Sequence, residues 1–168
     1  MSVSMYRASI PVLTRSLNNL SAILEKASAH AAAGNIDPAG LVNARLAPDM
    51  LTLAGQIQRA SDSAKGAAAR LAGIENPSFA DDETTFADLQ ERIAKTRRFL
   101  EGVSAEQIDG SATRTIEINL GAKMTFRGDD YLLNFALPNF YFHVTTAYDI
   151  LRHSGVPVGK MDYLGQFE

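Results

Sequence analysis

Apolar residues recur along the chain in alternating steps of four and three. Tyr6, Ile10, Leu13, Leu17, Leu20, Leu24 and Ala27 make the first such seam, the stripe by which an amphipathic helix faces a core. Pro11 falls either in its first turn or at a kink. Gly34 ends the run, and Asn35-Ile-Asp-Pro reads as a turn. The second seam is Leu46, Met50, Leu53, Ile57, Ala60, Ala64, Ala67 and Leu71, stopping at Gly73. Pro48 lies near its start, so residues 38–45 form either a separate short turn or the first part of a kinked helix. The alanines of this seam let a neighbouring helix approach closely. An acidic loop over 74–83 leads to a third seam, Phe86, Leu89, Ile93, Thr96, Leu100 and Val103, after which Ser104-Ala-Glu-Gln107 fits a capping box.

The period then shortens to two. Ile116, Ile118 and Leu120 alternate with Glu117 and Asn119, and Met124 and Phe126 alternate with Lys123 and Thr125. Residues 113–127 therefore read as a β-hairpin, turning at Asn119-Leu-Gly-Ala. Gly128-Asp129 ends it, with Asp129 placed to cap a fourth helix that runs to about Ser154 and closes at Gly155. Short connections between amphipathic helices imply an all-α fold, an antiparallel four-helix bundle with a short β-hairpin between helices three and four. No repeat or linker divides residues 1–168, which read as one domain.

Polar residues interrupt two of these apolar faces. At about 100° per residue, Leu133, Leu137, Val144, Ala147 and Leu151 fall within about 60° of Phe140 on helix four. His143 lies inside that arc and Asn139 at its edge, one turn apart. On helix two, Asp49 and Gln56 lie about 40° and 60° from Leu53. Polar groups at the border of a core are costly unless satisfied. With these edges facing each other, both rows line one cleft. Pro138 adds to this, because the carbonyl of Asn134 loses its helical donor and a kink beside Asn139 opens a pocket. Pro48 stands next to Asp49 in the same way. On the bland reading, Asn139 and His143 are a satisfied core pair and Thr145 and Thr146 bond back to the previous turn. His30 and His153 sit near helix C-termini, where a cation suits the helix dipole. Phe135, Phe142 and Tyr131 fall on the opposite side of helix four from Phe140. They call for cover by the hairpin, the C-terminal tail or a second subunit, and a homodimer is the expectation.

Composition narrows the function. A net charge of −3 with mixed signs offers no basic surface for nucleic acid or a membrane. No cysteine is present, which excludes disulfides, thiolate ligands and a thiol nucleophile. The stretch MSVSMYRASIPVLTRS lacks a signal-peptide pattern and no segment has membrane-spanning length, so the expected address is the bacterial cytoplasm.

The order helix–helix–helix–hairpin–helix, the stretch PNFYFHVTTAYDILRHSG, the segment APDM at 47–50 and the tail VGKMDYLG at 158–165 resemble the DinB-like (YfiT-like) four-helix-bundle superfamily, whose members are read as metalloenzymes. The likeness covers nearly the whole chain and is closest to a bacterial branch known only as a domain of unknown function. It implies a divalent metal held by one histidine of helix two and an H-x-x-x-H pair of helix four. Here His143 matches the downstream member of that pair and Asn139 the upstream one. On helix two Asp49, then Gln56, stands nearest the missing histidine. Three imidazoles suit zinc or nickel; one imidazole with a carboxylate and an amide suits them poorly. The expected site is thus a small-molecule or catalytic cleft between helices two and four. His143 is its acid/base group or sole strong metal ligand, Asp49 orients it, and Asn139 and Gln56 bind the ligand. Thiol-dependent transferases and isomerases are the activities the resemblance implies. The alternative is a non-catalytic dimeric module, structural or stress-associated and regulatory; a third reading, metal-dependent catalysis as in the wider superfamily with zinc or nickel weakly bound, stays open beside them.

Overall fold

The computed structural model describes residues 3–119 and 121–166; Leu120, assigned above to the hairpin, lies outside them. Ser4 caps α1 (Met5–Gly34) by accepting from the Arg7 amide, and Asn35 closes it at φ 49°. A short α2 (Pro38–Val42) follows, then α3 (Leu53–Ala72), α4 (Phe86–Glu101) and the one-turn α5 (Ala105–Asp109). A 3-10 turn, Gly110–Thr113, leads into β1 (Thr115–Asn119) and β2 (Lys123–Arg127). The chain continues through α6 (Gly128–Tyr131), a π-helical turn over Leu132–Ala136, α7 (Leu137–His153) and α8 (Lys160–Leu164). The structure is mostly helical with one small antiparallel hairpin.

The seams form the core. Leu13, Leu17, Leu20 and Leu24 of α1, Leu53, Ile57 and Leu71 of α3, Leu89 of α4 and Phe140 of α7 are fully buried. α3 packs between α4 and α7, and α1 touches all three. The run Ala64, Ala67 and Ala68 is buried at 0% exposure, so the close approach expected from small side chains is realised.

Two boundaries differ from the reading of the sequence. The second long helix starts at Leu53 and not near Leu46. Thr52 terminates it by accepting from the Gly55 amide at 3.1 Å, and residues 44–52 form turns, with the Leu53 amide donating to the Ala44 carbonyl at 2.9 Å. A residue preceding proline disfavours the helical region, so Pro48 keeps this segment out of the helix and leaves Leu46 exposed. The helix after the hairpin begins at Gly128 without a side-chain cap. Asp129 instead pairs with Arg127 at 3.2 Å and accepts from the Asp130 amide.

The hairpin pairs Ile116 with Phe126 and Ile118 with Met124. Its inner side covers the aromatic face that seemed to want a partner. Phe126 packs on Tyr131 at 6.1 Å and on Phe135 at 5.9 Å between ring centroids. Tyr131 is 1% exposed as a result, and of the three aromatics only Phe142, at 56%, projects outward.

The acidic loop is pinned from below. Arg92 of α4, 1% exposed, holds Glu83, Asp81 and Asp62 at 2.9 Å each. Lys65 donates to the Pro77 carbonyl at 2.8 Å and lies over the Phe79 ring. A buried guanidinium needs such multiple anionic partners to offset its desolvation.

Candidate functional site

Along α3, Gln56, Ser63 and Arg70 stand seven residues apart. Seven residues span about 10.5 Å and nearly two full turns, so the three share a stripe. Each meets a polar residue of the last helical segment. The Gln56 Oε1 lies 2.8 Å from His143 Nδ1, Asn139 Nδ2 donates to Ser63 Oγ at 2.7 Å, and Arg70 Nη1 donates to the Tyr131 hydroxyl at 3.2 Å. Rising numbers on α3 meet falling numbers on α7, π turn and α6, so the two runs cross in opposite directions.

Between these rungs opens a cavity of about 390 Å³. His143, Asn139, Tyr131, Ser63 and Arg70 line it, together with Arg59 and Asp62. The π turn forms part of this wall through Phe135 and Ala136. The Leu137 amide donates back to the Leu132 carbonyl, five residues away, one residue before Pro138, which has no amide hydrogen to give. The sharp kink expected at Pro138 is thus taken up by a wider helical turn, a feature often found beside functional sites.

The tautomer of His143 follows from the orientation assigned to the Gln56 amide. The Gln56 side chain is buried, and its Nε2 makes a long contact of 3.5 Å with the Leu51 carbonyl. That orientation turns Oε1 toward the ring, so Nδ1 carries the hydrogen and donates it. Nε2 keeps its lone pair and has no partner among the described residues. Burial, and then the charge of Arg59, hold the His143 pKa below its ordinary value, so the ring is neutral at pH 7. The orientation of Asn139 is fixed likewise. Ser63 Oγ donates to the Arg59 carbonyl at 2.7 Å and therefore accepts from Asn139 Nδ2, which leaves Asn139 Oδ1 open.

Of the residues singled out in the sequence, His143, Asn139 and Gln56 come together. Asp49 does not. It sits exposed in the turn before α3, because the helical geometry used to place it does not extend past Thr52. Among the described residues no carboxylate orients the imidazole; a neutral amide does. Arg59, Asp62, Ser63, Arg70 and Tyr131 were missed. The heptad recurrence Gln56, Ser63, Arg70 on one side of an otherwise alanine-lined helix was the available signal. Of the two threonines, Thr146 bonds back to the Phe142 carbonyl at 2.7 Å as expected, whereas Thr145 meets the Tyr163 hydroxyl at 2.9 Å.

The three-histidine metal site implied by the resemblance does not fit these side chains. One imidazole is present, the Asn139 amide nitrogen is engaged by Ser63, and Gln56 Oε1 is engaged by the imidazole. Among the described residues no group of three His, Cys, Asp or Glu side chains converges. Such a donor set is too poor in nitrogen and carboxylate for zinc or nickel. No helix among the described residues is long and apolar enough to cross a membrane.

Residues 5–164 match the model of the family described as Domain of unknown function (DUF1993). A solved crystal structure, that of a DinB family member protein from Shewanella denitrificans, is similar over 96% of this chain and 92% of that one, at 43% identity and a TM-score of 0.88. A search of curated proteins gives no match. The chain belongs to the DUF1993 family and is a DinB-like domain.

Proposed function

We propose that this DinB-like chain is an antiparallel four-helix bundle, hairpin between its third and fourth long helices, whose cleft between α3 and α7 binds a small molecule. The superfamily's metal site is degenerate in it, and His143 serves as the acid/base group of the cleft. The observation that carries this reading is the state of His143. Its Nδ1 is fixed by the buried Gln56 at 2.8 Å, and its Nε2 is left with a free lone pair at the wall of a cavity of about 390 Å³. A neutral imidazole oriented in that way accepts a proton or a hydrogen bond from a bound ligand. Asn139 supplies a second acceptor beside it, and Gln56 positions the ring without touching the ligand.

A fragment screen read by NMR tests the reading. Binders are expected to shift the His143 ring and Asn139 side-chain signals, and to lose that effect in a folded His143→Ala variant. Zinc and nickel are expected to stay below one equivalent after purification without chelator. Should no fragment move either signal, and His143→Ala only lower stability, the alternative of a non-catalytic dimeric module, structural or stress-associated, takes its place. Homodimerisation remains part of the proposal. Its support is the exposed Leu133 and Phe142, 57% and 56% accessible, since Tyr131 and Phe135 are covered by the hairpin.

A further inference from the structure

The polar groups around the cavity are sorted by kind. At one end stand donors. Arg70 has one hydrogen bond, to the Tyr131 oxygen, and no carboxylate partner among the described residues. Tyr131 is 1% exposed and, while it accepts from Arg70, its own hydroxyl hydrogen finds no acceptor among the described residues. A buried hydroxyl normally finds one. At the other end stand acceptors: Asn139 Oδ1 and His143 Nε2, both open. The lining carries two arginines and one aspartate. Arg59 is neutralised by Asp62 at 3.2 Å and by Asp81, and Asp62 is also shared with Lys65 and Arg92. One positive charge, that of Arg70, is left to face the cavity.

Gly66 holds Arg70 in this place. A Cβ there would lie 2.5 Å from Arg70 Nη1, so the guanidinium is folded back one turn over the bare glycine. From Gly66 to Ser63 is roughly 4.5 Å along the axis. The Arg70 guanidinium over Gly66 and the Asn139 amide at Ser63 are thus about one helical turn apart along α3, within reach of one short molecule.

Resting on the ligand-binding reading above, we infer that the cavity takes a small hydroxycarboxylic acid, its carboxylate on Arg70 and Tyr131 and its hydroxyl donating to Asn139 Oδ1 beside His143. A single uncompensated guanidinium matches a monoanion and a planar fork matches a carboxylate, in preference to a phosphate dianion. The far group is a neutral hydroxyl because the open acceptors at that end are neutral, the carboxylate of Asp62 being already held by Arg59, Lys65 and Arg92.

NMR titration of the full chain with 4-hydroxybutyrate, butyrate, 4-hydroxybutyramide and inorganic phosphate tests this. 4-Hydroxybutyrate is expected to bind at least about tenfold tighter than the other three, the factor that loss of one charge-assisted bond removes. It is expected to move both the Arg70 Nε–H and the Asn139 side-chain signals. Arg70→Gln is expected to weaken the acid about tenfold and leave the amide unchanged; Gly66→Ala, which dislodges the guanidinium, is expected to act in the same direction. Tighter phosphate binding, or an acid affinity indifferent to Arg70→Gln, overturns the inference. If the neutral 4-hydroxybutyramide moves His143 and Asn139 as strongly as the acid, the cleft stands and the carboxylate assignment falls. If neither these probes nor any fragment moves them, both fall.

Discussion

Which nitrogen of His143 carries its proton is decided by Gln56, a residue eighty-seven positions away in sequence. That pairing also sets how the ring responds to acid. A histidine ordinarily titrates near 6.5, and burial with the charge of Arg59 holds His143 lower. The charged groups that share the cavity with the ring are Arg59, Arg70 and Asp62; Asp62 is drawn off by Arg59, Lys65 and Arg92, and burial, then Arg59, set the direction of the shift. A folded-state pKa below the unfolded one gives stability that is complete above the unfolded value and lost as pH falls through the folded one. Urea unfolding from about pH 7.5 to 5 is therefore expected to show a decline on the acid side that His143→Gln flattens. An unchanged decline in the variant would mean that the ring charges freely in the folded protein. At this scale the sequence was half legible. His143 and Asn139 stood out because a polar side chain on an apolar arc is conspicuous. Arg70 and Tyr131 did not, because an arginine near a helix end and a tyrosine after a hairpin look like surface and core until they are seen to touch.

At the scale of elements, the seams of α1, α4 and α7 were readable because each apolar side chain must face one way on a helix. The start of α3 was not, because a proline in a turn and a threonine cap override an apolar spacing that continues through them. The junction of the 3-10 turn with α6 depends on Gly128. A Cβ there would lie 1.9 Å from the Ser111 carbonyl oxygen, a backbone atom that cannot swing aside. Gly128→Ala is expected to cost at the upper end of the roughly 1–3 kcal/mol typical of overpacking, measurable as a lower midpoint in urea. A neutral result would show that α6 can shift without loss. Because α6 carries Tyr131 into the cavity wall, the same variant is expected to weaken whatever Tyr131 helps to hold.

At the scale of the whole molecule, the hairpin acts as a lid on aromatic surface that the helices alone would leave bare, with Phe126 seated against Tyr131 and Phe135. Leu133 and Phe142 remain outside it. Sedimentation equilibrium is expected to find a dimer that Phe142→Ser shifts toward monomer; a monomeric parent chain would remove the homodimer from the proposal. The sequence by itself determined the long helical stretches apart from the start of α3, the hairpin, and the apolar side of most of them, because those follow from periodicities of 3.6 and 2 in neighbouring residues; the short α8 it left as a tail. Only the tertiary structure decided the ladder of Gln56–His143, Ser63–Asn139 and Arg70–Tyr131, and with it the exclusion of Asp49. Such pairs depend on the rotation and axial offset of two helices, and those are set by packing summed over the whole core and by the single added residue of a π turn, neither of which is written in any one segment.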